Sequence, residues 1–213
     1  MKKGEFHSDY KILKPRIEAR LSEFRGLWTS GSEDKLFREL AFCLMTPQSS
    51  ARTCWDAVGR LFDGGLFYCG TQIQLARGIH PIRFKHHKAQ YMIAARSMFL
   101  PAGTPCLRRL LEIRSDAHGM REWLVKNVKG LGFKEASHFL RNIGLGEDLA
   151  ILDRHILRTM KAHRVIRTIP DAIGRKHYLA LEKKFIRWAE RLGVPPAHLD
   201  LLIWYQQTGY LFK

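Results

Sequence analysis

Apolar residues recur at spacings of three and four along almost the whole chain, the signature of helices with one buried face. Ile12, Leu13, Ile17 and Leu21 place a helix over Lys11–Phe24, with Gly26 as its break. Leu36, Phe37, Leu40, Ala41, Leu44 and Met45 form a second stripe, opened by a Ser32 cap with Glu33 and Asp34 in the first turn and stopped by Pro47. Ser49 or Ser50 starts a third, through Trp55, Val58 and Leu61 to the breaker Asp63-Gly64-Gly65. A long helix is expected from about Pro81 to Phe99, with Tyr91, Met92, Ala95 and Phe99 apolar. Its first turns carry Arg83, Lys85, His86, His87 and Lys88, which suit a solvated face and a phosphate-facing one equally well.

Leu107–Ile113 and Asp116–Val128 read as two more helices. Phe133, Ala136, Phe139, Leu140 and Ile143 make the next stripe, with Gly144 as its stop. Ile156, Leu157 and Met160 follow, then an aromatic-rich helix over Arg175–Leu192 and a last one opened by Pro196. No segment alternates as a strand does, and there is no internal repeat. The expectation is an all-α fold of about ten helices.

Composition adds one fact that pattern cannot. The 213 residues are ordinary in apolar and charged content, but the net charge is +16 and the pI about 10.0. Such a chain suits a polyanionic partner, nucleic acid first. No apolar run approaches the roughly 20 residues of a membrane span. Met1-Lys2-Lys3-Gly4-Glu5-Phe6-His7 lacks the apolar region of a leader, so a cytoplasmic, nucleoid-associated protein without a targeting signal is expected. Cys43, Cys54, Cys69 and Cys106 show no C-x-x-C pairing, which fits a reducing compartment and argues against a structural zinc or iron–sulfur cluster.

The chemistry concentrates in Val128-Lys129-Gly130-Leu131-Gly132-Phe133-Lys134, a G-x-G turn between two helices. Gly130 and Gly132 permit close backbone approach, and the helix that follows offers free N–H groups and the positive end of its dipole. That arrangement grips phosphate without reading sequence. On the residues alone, Lys134 is as readily another phosphate contact as anything more, and Lys129 is a second candidate. Asp153 opens a later helix and is suited to cap it.

These residues carry a resemblance. Val128 to Gly144, VKGLGFKEASHFLRNIG, with Ile151 to Leu157, ILDRHIL, resembles the helix-hairpin-helix of the DNA glycosylase superfamily, and the whole chain resembles its compact type 2 8-oxoguanine DNA glycosylase/lyase family. The resemblance implies a base-excision repair enzyme acting on double-stranded DNA that contains 8-oxoguanine or abasic sites. In that family the nucleophile follows the second hairpin glycine by two, which selects Lys134. Its neutral amine would displace the base from C1′, and the resulting Schiff base would allow β-elimination. An unperturbed lysine is mostly protonated at neutral pH, so a partly desolvated position by a helix N-terminus is what the chemistry wants. Asp153 would stabilise charge on the sugar and help activate Lys134, and His155 would lie near the DNA backbone.

The resemblance also implies a substrate pocket at the end of the chain. Lys213, through its terminal carboxylate, would tell 8-oxoguanine from guanine by the N7–H donor that guanine lacks, and Trp204 would be the stacking platform. A frayed terminus and a core aromatic are the bland readings of the two. In Thr46-Pro47-Gln48-Ser49-Ser50, Gln48 is the candidate to fill the gap a displaced base leaves; an ordinary helix–helix turn is the alternative. No cofactor is required, and no metal-ligand set is expected beyond a monovalent cation at hairpin backbone carbonyls. The domain plan implied is residues 32–150 as a helical barrel-like domain carrying the hairpin, and residues 1–31 plus 151–213 as a second, discontinuous helical domain. The active site would lie in the cleft between them, in a monomer. Two readings from other classes stay open: a non-catalytic helix-hairpin-helix DNA-binding protein, and a monofunctional glycosylase for another damaged base.

Overall fold

The computed structural model describes residues 3–213, with side chains at Phe6 and from Ser8 onward. Met1 and Lys2, and the side chains of residues 3–5 and 7, on which the leader reading partly rests, lie outside the described residues. The described residues form twelve α-helices and one 3-10 turn, and no strand. None of those helices is long and apolar enough to cross a membrane.

The chain divides into two compact units: residues 1–26 with 140–213, and residues 27–139. The divisions fall inside helices α1 (Lys3–Ser30) and α9 (Phe133–Asn142); the resemblance implies them near Ser32 and Ala150.

In the unit of residues 27–139, α2 (Glu33–Met45) is capped as its sequence predicts, the Ser32 hydroxyl accepting from the Lys35 amide. It is followed by α3 (Ala51–Asp63), α4 (Leu66–Cys69), α5 (Gln72–Gly78) and α6 (Lys85–Phe99). Phe37, Phe62 and Phe67 meet in the core, Phe62 stacked on Phe67 at 4.3 Å between ring centres. Each such buried side chain contributes roughly 1.5–3 kcal/mol. α7 (Leu107–Glu112) and α8 (Ala117–Asn127) lead to the hairpin, with the Asp116 carboxylate capping α8 through the Gly119 amide at 2.7 Å.

In the other unit, α1 buries Phe6, Leu13, Ile17, Leu21 and Phe24. α10 (Arg154–Ala162), α11 (Arg175–Leu192) and α12 (Pro196–Thr208) supply Ile156, Leu157, Met160, Phe185, Trp188, Leu199 and Leu202 to its core. A buried ion pair, Arg141 Nη2 to Asp200 Oδ2 at 3.3 Å, crosses it, with the guanidinium over the Phe24 ring. Gly144 ends α9 in a Schellman turn: its own amide bonds to Arg141 O and that of Leu145 to Leu140 O, with Gly144 at φ +79°.

Four expectations change. Gly26 does not break α1, which runs on to Ser30 through both Pro15 and Gly26. A lone glycine costs a helix only about 1 kcal/mol, which tertiary packing overrides, and the stop is Gly31. Ile12 is 75% exposed and belongs to no stripe. α6 begins at Lys85 rather than Pro81, because Phe84 at φ +57° cannot continue a helix. Between α3 and α6 lie two short helices, α4 and α5, that the apolar pattern did not announce.

Candidate active site and nucleic-acid interface

The hairpin joins α8 to α9. The Val128 amide closes α8 on Leu124 O at 2.8 Å, Leu131 N turns back to Val128 O at 3.1 Å, and Ala136 N makes the first bond of α9, to Gly132 O at 2.9 Å. The amides of Phe133, Lys134 and Glu135 therefore precede the first intrahelical bond and stand at the positive end of the helix. Gly130 is at φ +95°, and a Cβ there would overlap the Tyr91 ring, so this glycine is required twice over. Gly132 has no such conformation; a Cβ there would come to 3.1 Å from Glu135 Oε2, the end of a flexible side chain. The need for a glycine is thus met at Gly130 and is slight at Gly132. Arg121, buried in α8, braces the helix pair: it donates to Ser137 Oγ at 3.1 Å and lies over the Phe133 ring. Nothing in the apolar pattern marked it, because an arginine on a helix reads as solvated.

Lys134 is the second residue of α9 and its side chain is 24% exposed, with Nζ 3.7 Å from Glu135 Oε1. Its charge is felt by the buried Cys54 thiol, which burial pushes up to about 11 against the opposing pull of Lys88 and Lys134. Cys54 Sγ donates to Met45 O at 3.4 Å, at the edge of the turn that carries Gln48. Lys129 and Gln48 are exposed.

That turn is anchored from behind. Thr46 Oγ1 donates to Cys43 O, and Ser49 N to Thr46 O at 3.0 Å. Gln48 stands at φ +54°. A left-handed residue with a side chain costs roughly 1–2 kcal/mol, and such strain concentrates at functional positions. Phe84, absent from the residues the sequence singles out, shares these properties: φ +57° and 52% exposed, with Arg83 over its ring. An exposed aromatic among Arg83, Lys85, His86 and His87 was the available signal. Lys88 is corrected: it is 3% exposed and not part of that basic face.

Asp153 lies in the other unit. The strand-like segment before it is pinned by α11: Tyr178 OH donates to Ala150 O at 2.6 Å and accepts from Leu152 N at 3.3 Å, and Glu182 Oε1 accepts from Ala150 N at 2.9 Å. Asp153 Oδ1 then caps α10, accepting from Ile156 N at 2.8 Å. Its Oδ2 takes no hydrogen bond among the described residues. His155 packs edge-on against Trp204 with ring centres 5.4 Å apart, so the start of α10 and the C-terminal half of α12 meet. His155 Nδ1 and Trp204 Nε1 are both buried without a hydrogen-bond partner among the described residues. Gly209, at φ +81°, turns the tail back, and Tyr210 meets Trp204 edge-on at 6.4 Å. Lys213 is half-buried.

The predicted residues thus fall into two sets. Gly130, Gly132, Lys129, Lys134 and Gln48 belong to the unit of residues 27–139; Asp153, His155, Trp204 and Lys213 belong to the other.

An all-helical fold with this hairpin defines a helix-hairpin-helix protein of the DNA glycosylase class. Residues 17–194 match the family model described as 8-oxoguanine DNA glycosylase. The 8-oxoguanine DNA glycosylase/AP lyase of Fusobacterium nucleatum is 38% identical over 217 residues, covering all of both chains. The crystal structure of the 8-oxoguanine DNA glycosylase of Thermotoga maritima superposes with a TM-score of 0.88 at 37% identity, covering 99% of this chain and 98% of that one. The Methanocaldococcus jannaschii 8-oxoguanine glycosylase/lyase, solved in complex with 15mer DNA containing 8-oxoguanine, gives 0.85 at 31% identity over 97% and 98%. The chain belongs to the 8-oxoguanine DNA glycosylase family. It is an enzyme, which sets aside the reading of a non-catalytic helix-hairpin-helix DNA-binding protein.

Proposed function

We propose that this protein, acting as a monomer, removes 8-oxoguanine from double-stranded DNA and then cuts the strand through a Schiff base on Lys134. The observation that carries the reading is Lys134 itself, half-buried in the first turn of a helix directly after a glycine hairpin. The hairpin amides and Lys129 take backbone phosphate, which holds the strand whatever its sequence. The neutral Nζ of Lys134 forms a bond to C1′ as the C1′–N9 bond breaks and the base leaves with its electron pair. The sugar ring opens to the imine; loss of a C2′ proton and rupture of the C3′–O3′ bond then cut the strand. Asp153 offers Oδ2 to the positive charge that builds on the sugar while Oδ1 stays in the cap.

Trp204 stacks on the extruded base, and the Lys213 carboxylate accepts from its N7–H. The unpartnered His155 Nδ1 and Trp204 Nε1 support a polar ligand at this end of the unit, with His155 near the DNA backbone. Gln48 fills the gap in the stack, with the exposed Phe84 as a second wedge. At the hairpin, the carbonyls of Val128 and Gly132 already accept from Leu131 and Ala136, leaving those of Lys129, Gly130 and Leu131 as candidate donors to a monovalent cation. The covalent steps use the chain's own amine and carboxylate.

Borohydride trapping on an 8-oxoguanine duplex tests the reading. A covalent adduct that disappears in Lys134→Gln is expected; an adduct that survives the substitution would overturn it. Base release without strand scission would point instead to Asp153 and water.

A further inference from the structure

Lys88 is buried at 3% exposure while its neighbours Arg83, His86 and His87 are exposed. No carboxylate pairs with it among the described residues. Its three donors go instead to a single turn: Nζ donates to Met45 O at 2.6 Å, Pro47 O at 2.8 Å and Ser49 Oγ at 3.0 Å. These acceptors flank Gln48 on both sides, and Gln48 is the exposed residue held in the left-handed region. Burying an ammonium is costly unless its charge is met by well-placed acceptors. If only volume were needed here, methionine would supply it more cheaply. Three directed, charge-assisted bonds onto one turn fix backbone geometry instead. Cys54 Sγ bonds to the same Met45 carbonyl and feels the charges of Lys88 and Lys134, so the anchored turn and the lysine of α9 share one neighbourhood.

We propose that Lys88 is a positioning residue that holds the Met45–Ser49 turn so that Gln48 is presented rigidly to the DNA stack. The inference rests on the reading of Gln48 as the gap filler. A single strand has no partner strand and no gap to fill, so the role shows as the ratio of single-turnover 8-oxoguanine excision from duplex to that from single-stranded oligonucleotide. The ratio also cancels any loss of folded protein.

Gln48→Ala is expected to lower the ratio about tenfold, and Lys88→Met by a similar factor, in line with the cost of misplacing a positioning group. The double variant should fall no further than the lower of the two, because Lys88 acts only through Gln48. If Gln48→Ala lowers the ratio and Lys88→Met does not, Lys88 is not the positioning residue while the gap-filling reading stands. If the two losses multiply in the double variant, Lys88 acts on something else and the proposal is overturned. If Gln48→Ala leaves the ratio unchanged, the gap-filling reading fails first and this inference with it. Should Lys88→Met not fold, Ser49→Ala removes one of the three acceptors; a two- to threefold drop is expected on the same grounds, and an unchanged ratio overturns the proposal.

Discussion

Two helix starts carry the proposed chemistry, and they are built in opposite ways. α9 begins at Gly132, which has no side chain to offer its amides, and the preceding turn depends on Gly130 at φ +95°. α10 begins at Asp153, whose Oδ1 closes the first turn on Ile156 N, behind a segment clamped by Tyr178 and Glu182. The open start has no cap side chain at Gly132 and places a cation, Lys134, where the helix dipole disfavours extra positive charge. The closed start satisfies its own donors and holds a carboxylate in one orientation. An open start suits binding a variable partner, and a closed one suits presenting a fixed charge.

The sharpest way to break this contrast is to separate the cap of α10 from its charge. Asn is as good a cap as Asp, so Asp153→Asn should keep the thermal stability and DNA affinity of the parent. Its excision rate should drop by about 10²–10³-fold, the usual cost of removing one preorganised electrostatic partner. Asp153→Ala should lose the same activity and in addition about 1 kcal/mol of stability in urea titrations. Unchanged turnover in the Asn variant would reduce Asp153 to a structural cap.

At the open start the two glycines should differ. Gly130→Ala forces a side chain into the left-handed region and onto Tyr91 and should destabilise the unit of residues 27–139 by about 2–4 kcal/mol, summing backbone strain and overpacking. Gly132→Ala needs only a shift of the Glu135 side chain and should cost less than about 1 kcal/mol. Equal losses in denaturant titrations would mean that the hairpin needs small residues, not a special backbone.

A smaller effect tests the tail that the His155–Trp204 contact ties to the closed start. Deleting Lys213 should reduce the preference for 8-oxoguanine over guanine about tenfold, roughly one hydrogen bond to a charged group. Cleavage at preformed abasic sites should be nearly unchanged. Parallel losses on all substrates would show that the tail supports the fold and does not read the base.

The same two starts show what a sequence carries. Local rules were legible: Ser32 caps its helix, Gly144 makes its turn, and Asp153 bonds three residues on, because each depends only on neighbours in the chain. So were the stripes of α2 and α9, whose buried faces follow the helical period. What failed depended on partners distant in sequence. Gly26 looked like a stop until packing carried α1 past it, and Lys88 read as part of an exposed basic face, solvated or phosphate-facing, although its three acceptors lie about forty residues earlier. The strain at Gln48 and Phe84 has no local signature at all, since neither residue favours the left-handed region.

Each unit also holds a titratable group whose pKa burial lowers, and pH reads the two separately. Burial lowers the pKa of His198, which bonds the Tyr10 hydroxyl at 3.0 Å among Glu18, Glu147, Lys14 and Arg25. Folding therefore favours the neutral ring: its contribution is whole above the ordinary histidine pKa of about 6.5 and is lost as pH falls through that value toward the folded one. Burial likewise lowers the pKa of Lys88, beside Cys54 and Arg83. Here folding penalises the charged form at neutral pH, and the penalty lifts as pH rises through the folded value toward about 10.4. Both groups make stability rise with pH, His198 up to about 6.5 and Lys88 up to about 10.4. In melting curves from pH 5 to 10, His198→Gln should flatten only the acid side of the profile and Lys88→Met only the alkaline side. An acid-side change in Lys88→Met would mean that the turn it holds and the unit that buries His198 do not melt as independent contributors.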